Sequence, residues 1–308
     1  MISIDETALR GSIPPLITPF KNGAVDYDAY ADLVRYQADN GSHGVLINGT
    51  TSEPSSLTVE ERNRLVDVGV EAAAGDLTVV VATGSQSYAE TEALTRHAAQ
   101  NPRVEALLIV TPYYSKPPQR GLVAYYEALS ALHDKPWMIY HIPGRAAVDV
   151  KVETVRALAK SCPTFVGMKH ASLDLGYVSD LLEEHGDGFR IFVGLEELSF
   201  PMMAVGACGL MNAVGNLRPA PLAQMCEAVW EGDLFGARDL HRRLFEINKA
   251  VFFDINPIPM KYMMKRLGIL PANEHRLPLL PASEELERRL DNVLERAGLL
   301  DIAQAAAE

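Results

Sequence analysis

The sequence predicts an α/β fold, a (β/α)8 TIM barrel with a C-terminal helical extension, and three observations carry that prediction. Short apolar runs alternate with stretches of helical spacing, and about eight such units can be laid out in order. The runs are apolar without alternation, as in Val79-Val80-Val81-Ala82 and Leu107-Leu108-Ile109-Val110, which is how parallel strands covered on both faces read. After the eighth run the pattern turns helical. Repeated β–α units imply a parallel sheet, and eight of them favour closure into a barrel. A doubly wound open sheet is the competing arrangement, but no GxGxxG follows an early strand.

The elements follow in order. Strands are expected at 15–20, 45–48, 78–83, 106–111, 137–142, 165–170, 190–194 and 209–213. Helices are expected between them at 27–40, 59–74, 89–100, 121–133, 152–161, 175–185 and 197–205, then at 221–231, 234–252, 257–267 and 283–297. Pro257 suits the first position of a helix, with Asn256 as its N-cap. One barrel takes roughly 250 residues. The 308 residues, 48% of them hydrophobic, leave room for a helical segment but not for a second large domain. We therefore divide the chain into a barrel at 1–232 and a helical domain at 233–308, with the last residues, 301–308, expected to fray.

Composition narrows the function. The net charge is −12, and such a surface repels phosphate backbones and anionic membranes. Cys162, Cys208 and Cys226 are widely spaced, with no CxxC or HExxH, and read as small buried apolar residues rather than as a disulfide framework or a zinc site. The first residues lack the apolar core of a secretory signal, and no apolar run approaches the ~18 residues of a membrane span. The expectation is a cytoplasmic protein with no nucleic-acid or membrane partner.

In a parallel barrel the active site lies at the C-terminal ends of the strands, so polar residues that close apolar runs are the candidates. Lys169 closes Phe165-Val166-Gly167-Met168. Burial in the barrel mouth disfavours an ammonium; at an ordinary pKa of about 10.4 only ~0.04% of the amine is neutral at pH 7, against roughly a quarter at about 7.5. The other reading is a strand-end lysine that snorkels or pairs with a carboxylate. Tyr140 closes the neighbouring strand and offers a phenol for proton transfer, or is a core aromatic. Thr50 and Thr51 follow Gly49 in a turn that can present N–H groups and hydroxyls to a carboxylate, or is an ordinary turn. Tyr113 and Tyr114 follow a proline and suit either chemistry or packing. Arg145, after Pro-Gly, can clamp a carboxylate or stand in solvent. His141 and His170 are ambiguous, with a structural reading ahead of a chemical one.

Taken together, PPLITPF, NGTTSEPSSLT, VTPYY, IYHIPGR, VGMKHAS, FVGLEE and NPIPMK, in this order through most of the chain, resemble the dihydrodipicolinate synthase/N-acetylneuraminate lyase family of class I pyruvate-dependent aldolases. The resemblance implies a barrel with C-terminal helices, usually a homotetramer of tight dimers, with no metal or dissociable cofactor. It implies that Lys169 forms a Schiff base with pyruvate or another 2-oxo acid and that Tyr140 exchanges the protons. Thr50 and Tyr140 would form a hydroxyl relay with Tyr114 reaching from a neighbouring subunit. Thr51 and Met211 would hold the pyruvate, and Arg145 the far carboxylate of an aldehyde partner.

Departures from the family pattern point within it. Ser52 replaces a glycine in the threonine turn, Pro54 follows, His170 stands where Glu is usual, and His141 where Asn is common. Val59 and Arg62 occupy places where lysine-inhibited synthases carry polar and His residues, so lysine feedback is not expected. The string GTTSEPSSLT resembles a subgroup that cleaves 2,4-dihydroxyhept-2-enedioate to pyruvate and succinate semialdehyde, and that cleavage is the first expectation. The alternatives are 4-hydroxy-tetrahydrodipicolinate synthesis from pyruvate and aspartate semialdehyde, a 2-oxo-3-deoxy sugar acid dehydratase or aldolase, and a non-catalytic 2-oxo acid binding protein.

Overall fold

A computed structural model describes residue 5 and residues 7–300. The ends of both predicted domains, including the tail at 301–308, lie outside the described residues. The strands are β1 (Gly11–Ser12), β2 (Phe20–Lys21), β3 (Ala24–Val25), β4 (Gly44–Ile47), β5 (Thr78–Ala82), β6 (Ala106–Val110), β7 (Trp137–His141), β8 (Phe165–His170), β9 (Arg190–Val193) and β10 (Gly209–Leu210). Eight of them form one sheet in the order β1-β10-β9-β8-β7-β6-β5-β4. Its strand pairings are parallel, and a parallel bridge from Pro15 to Leu46 joins the two edges. The result is the expected (β/α)8 barrel.

The first strand departs from expectation. It lies at Gly11–Ser12 rather than at 15–20, and Phe20 pairs instead with Val25 in a small antiparallel hairpin of β2 and β3. Pro14, Pro15 and Pro19 supply no N–H, so this stretch can make only scattered rungs: Leu46 N–H donates to Pro14 O at 2.9 Å and Leu16 N–H to Leu46 O at 3.0 Å.

Helices α1 (Tyr27–Asp39), α2 (Val59–Ala73), α3 (Tyr88–Gln100), α4 (Gln119–Ser130), α5 (Pro143–Ala146), α6 (Val152–Ser161), α7 (Leu175–His185), α8 (Ser199–Ala204) and α9 (Pro219–Trp230) follow the strands. Their starts are where capping chemistry puts them. Thr58 and Glu61 form a reciprocal capping box on α2, and Asp26, Ser87 and Asp174 accept from the first turns of α1, α3 and α7. Helices α10 (Leu234–Ala250), α11 (Ile258–Arg266) and α12 (Glu284–Arg296) complete the chain. Asn256 is not the N-cap of α11. Pro257 holds that position, and the Asn256 amide is committed elsewhere, as described below. Nor is the C-terminal part wholly helical: between α11 and α12, Pro271, Pro278 and Pro281 break the pattern, and this segment packs on the turn after β4.

Two apolar clusters divide the inside of the barrel from the layer under the helices. Leu108, Met138, Tyr140, Val166, Phe192 and Met211 belong to the inner one. Leu107, Ile109, Trp137, Ile139, Phe165 and Met168 belong to the outer one, as the period of two requires. One irregularity matters for the site. Trp137 pairs with Phe165 but Met138 pairs with Gly167, so β8 carries an extra residue. Val166 faces inward, and simple alternation would send Met168 and His170 inward too. The bulge resets the phase, so that Lys169 faces in while Met168 and His170 face out. Cys162 and Cys226 are buried and Cys208 is half-buried, all as free thiols. No helix among the described residues is long and apolar enough to cross a membrane.

Candidate active site

Tyr140 and Lys169 are partners across the β7–β8 ladder. Both are buried, and Lys169 Nζ stands 4.5 Å from the centroid of the Tyr140 ring. Among the described residues Lys169 forms no ion pair or hydrogen bond, so the reading of it as a carboxylate-paired strand end is not what the fold contains. Its aliphatic stem lies against Gly194 just beyond β9, where an added Cβ would come within 3.1 Å of Lys169 Cε.

The turn after β4 approaches from the other side. Asn48 takes a left-handed φ of 60°, and Thr50–Ser52 form a 3-10 turn. Thr50 Oγ1 donates to the Tyr140 hydroxyl at 3.4 Å. Thr51 is buried, and its Oγ1 accepts from Asn256 Nδ2 at 2.9 Å. Ser52 anchors the turn to the proline-rich first segment: its hydroxyl donates to Leu16 O, and Thr18 Oγ1 donates to Ser52 O.

A buried polar network fixes the end of this turn. Glu53, at a φ of 57°, receives Lys261 Nζ at 2.5 Å and lies 3.2 Å from His275 Nδ1. Lys261 also donates to Glu274 O at 2.9 Å. Burial pulls the Lys261 ammonium down to about 8 against the opposing pull of Glu53. For Glu53, burial works to raise the carboxyl, but the bond to His275 and the Lys261 charge outweigh it and hold it below its ordinary value. Arg276 spans the same gap, bound by Glu61, Ser56 O and Gly23 O.

A cavity of about 660 Å³ opens over these strand ends. Thr50, Tyr113, Tyr140, Arg145 and Asn256 line it. Arg145 is exposed at its rim on the short helix α5. Lys169, Thr51 and Met211 are buried and outside that lining. Met211 is buried in the inner cluster with Tyr140 and Phe192. Tyr114 is not brought to the cavity of its own chain. It is 89% exposed, at a left-handed φ of 69°.

The outward faces of the same strand ends carry the two histidines. His141 Nε2 lies 2.8 Å from Asp149 Oδ1, and His141 Nδ1 lies 3.1 Å from His170 Nδ1. His170 stacks on Tyr177, and burial together with the His141 charge holds its imidazole down at about 4.

Two buried polar residues escaped the sequence reading. Asn256 was assigned to a helix cap, and nothing in local spacing links it to Thr51, 205 positions away. Glu196, inside the FVGLEE string, is fully buried, and burial raises its carboxyl to about 7. An acidic residue just beyond an apolar strand was the available signal.

Comparison with known proteins agrees with this geometry. The model of the dihydrodipicolinate synthetase family matches residues 8–297. The 4-hydroxy-tetrahydrodipicolinate synthase of Thermus thermophilus is 46% identical over 97% of this chain and 99% of its own length. The crystal structure of dihydrodipicolinate synthase from Aquifex aeolicus superposes with a TM-score of 0.92 at 37% identity, covering 94% of this chain and 99% of that one. A dihydrodipicolinate synthase described as a monomeric variant superposes at 0.89, with 35% identity over 95% of this chain and 98% of that one.

Proposed function

Because the chain belongs to the dihydrodipicolinate synthetase family, and is thus an enzyme of the class I, pyruvate-dependent aldolase type, we propose that it condenses pyruvate with aspartate semialdehyde as a 4-hydroxy-tetrahydrodipicolinate synthase. This replaces the first expectation, cleavage of 2,4-dihydroxyhept-2-enedioate. Similarity at 46% over nearly the whole length of a named synthase weighs more than one string in the threonine turn. The observation that carries the chemistry is a buried, unpaired Lys169 facing the ring of Tyr140, whose hydroxyl meets Thr50.

In this reading the neutral Lys169 amine adds to C2 of pyruvate. The carbinolamine loses water through proton transfers at Tyr140, leaving a protonated imine. That imine draws electrons from C3, whose methyl group gives up a proton to form an enamine. The enamine carbon bonds to the aldehyde carbon, and the aldehyde oxygen takes a proton. The amino group of the semialdehyde then displaces Lys169 at C2, closing the ring and freeing the enzyme. Thr51, fixed by Asn256, holds the pyruvate carboxylate, with Met211 beneath it. Arg145 holds the distal carboxylate of the aldehyde, and Tyr114, exposed and outside the lining of its own cavity, serves a neighbouring subunit in a tetramer built from dimers.

Treatment with pyruvate and borohydride should add one pyruvate-derived mass per chain, on Lys169. Turnover should favour aspartate semialdehyde over succinate semialdehyde. Arg145→Ala should lose about 10- to 150-fold in kcat/KM with either carboxylated aldehyde, the worth of a charge-assisted hydrogen bond of roughly 1.5–3 kcal/mol, and far less with propanal. An adduct on another lysine, or faster turnover with succinate semialdehyde, would overturn the proposal.

A further inference from the structure

We infer that Asn256, in the segment that leads into α11, is a positioning residue for the 2-oxo acid: it donates to the Thr51 hydroxyl and so leaves the Thr51 proton for the substrate carboxylate. The inference deepens the pyruvate reading above and rests on it, and it gives the C-terminal helical part of the chain a share in the site.

The three hydroxyls of the turn Thr50–Ser52 use their protons differently. Thr50 Oγ1 donates to the Tyr140 hydroxyl at 3.4 Å, and Ser52 Oγ donates to Leu16 O at 2.7 Å. Thr51 Oγ1 instead accepts, from Asn256 Nδ2 at 2.9 Å. A carboxamide nitrogen gives hydrogen bonds and does not take them, so Asn256 sets the direction of this one. The single Thr51 proton is therefore directed elsewhere, and it meets no acceptor among the described residues. Thr51 is 2% exposed, and a buried donor without an acceptor is unfavourable. The carboxylate of a 2-oxo acid is the acceptor that completes it.

The carboxamide is used for its donor. Asn256 is 7% exposed and lines the cavity, and its Oδ1 is buried with no hydrogen-bond partner among the described residues. A side chain that only filled this space would need no orphaned oxygen, whereas a donor of this shape comes with one. The same segment grips the turn again at Lys261, whose Nζ pairs with Glu53 two residues after Thr51. Lys261 N–H also donates to Pro257 O at 2.9 Å. The Asn256–Thr51 bond thus joins two parts of the chain that a second, buried contact already holds together. The donor is in place before the carboxylate arrives, and little reorganisation is needed to bind it.

The test is the pyruvate dependence of borohydride trapping on Lys169, which reads 2-oxo acid binding without the aldehyde, beside steady-state kinetics. Asn256→Asp keeps the shape, but its carboxylate only accepts, so the Thr51 proton turns to it and away from the substrate. The half-saturating pyruvate concentration should rise at least about tenfold, the worth of a charge-assisted hydrogen bond. Trapping at saturation and kcat should change less than about threefold, and the KM of the aldehyde should stay as it is. In a Thr51→Val background, which has no proton to direct, Asn256→Asp should add less than about twofold. An Asn256→Asp chain that binds pyruvate like the parent overturns the inference. So does an equal rise in both backgrounds, which would make the effect plain charge repulsion. Asn256→Ala carries the test if the aspartate chain does not fold. Losing the donor lets the Thr51 hydroxyl turn, so half-saturation should rise about two- to tenfold in the parent background and stay level in Thr51→Val. No rise, or a rise in both, overturns the inference. Absence of trapping on Lys169 in the parent removes the Schiff-base reading and this inference with it, whereas intact trapping that is indifferent to Asn256 removes this inference alone.

Discussion

Lowering the pH from 7 to 5 should cost the fold about 2 kcal/mol through one side chain, His170. An imidazole in the unfolded chain titrates at about 6.5. In the folded chain burial, reinforced by the His141 charge, holds that of His170 at about 4. The unfolded chain therefore takes up the proton first. Stability contributed by neutral His170 is whole above about 6.5, falls as the pH drops below it, and is lost by about 4. Integrated from pH 7 to 5, the difference in proton uptake is about 2 kcal/mol, equivalent to about 3 °C in melting temperature for a chain of this size. His170→Phe keeps a ring against Tyr177, where the present ring centroids are 5.2 Å apart, and removes the titrating group. It leaves His141 Nδ1 without its 3.1 Å partner, a penalty of about 1–3 kcal/mol that shifts the whole curve down. The assay is thermal unfolding across this pH range, and the slope decides the question. His141 is also held low by burial, opposed by Asp149, so some acid sensitivity stays. Burial also holds His43, His133, His185 and His241 low, so the drop from pH 7 to 5 should shrink by about the 2 kcal/mol of His170 rather than vanish. A His170→Phe chain that loses as much as the parent would refute the assignment of the acid sensitivity to this buried ring.

Lys261→Met should lower the melting temperature by about 5–8 °C, because it leaves the buried Glu53 carboxylate without its ammonium, a loss of roughly 3–5 kcal/mol; adding Glu53→Gln should restore most of it, and additive losses would show that the two do not act as a pair. Millimolar L-lysine should leave turnover unchanged, since Val59 and Arg62 line the cavity where lysine-inhibited relatives carry polar and His residues; clear inhibition in a steady-state assay would contradict this. Mixing inactive Lys169→Ala chains with inactive Tyr114→Phe chains should restore part of the activity in hybrid oligomers, and no recovery despite proven subunit exchange would remove Tyr114 from the neighbouring site.

The strand ends were legible because parallel-barrel chemistry collects at the boundary between apolar runs and polar turns. Lys169, Tyr140 and Thr50 were found there, and the fold brings them together. What escaped was set by long-range pairing. The first strand was misplaced because the apolar run 15–20, with Pro15 and Pro19 in it and Pro14 before it, has the hydrophobicity of a strand without its donors. Asn256 was misassigned because its partner Thr51 is remote in sequence. Glu196 was quoted within a motif yet given no role, since charge and burial conflict in a way that only the packed structure exposes.

The bulge in β8 explains why one short segment can serve two purposes. Without the extra residue at Val166–Gly167, alternation would carry Met168 and His170 into the barrel and turn Lys169 out among the helices. Glycine permits the irregularity: a Cβ at Gly167 would lie 2.0 Å from Arg190 O, the backbone of the adjoining strand, so any larger residue must push β8 and β9 apart where Lys169 and Gly194 touch. Beyond the bulge the phase is fixed on both sides. The inward residues, Tyr140 and Lys169, hold the reactive pair, and the outward residues, His141 and His170, join the same two strands through a buried ring contact. The acid-sensitive pair is thus one backbone step from the amine and its phenol on the same two strands.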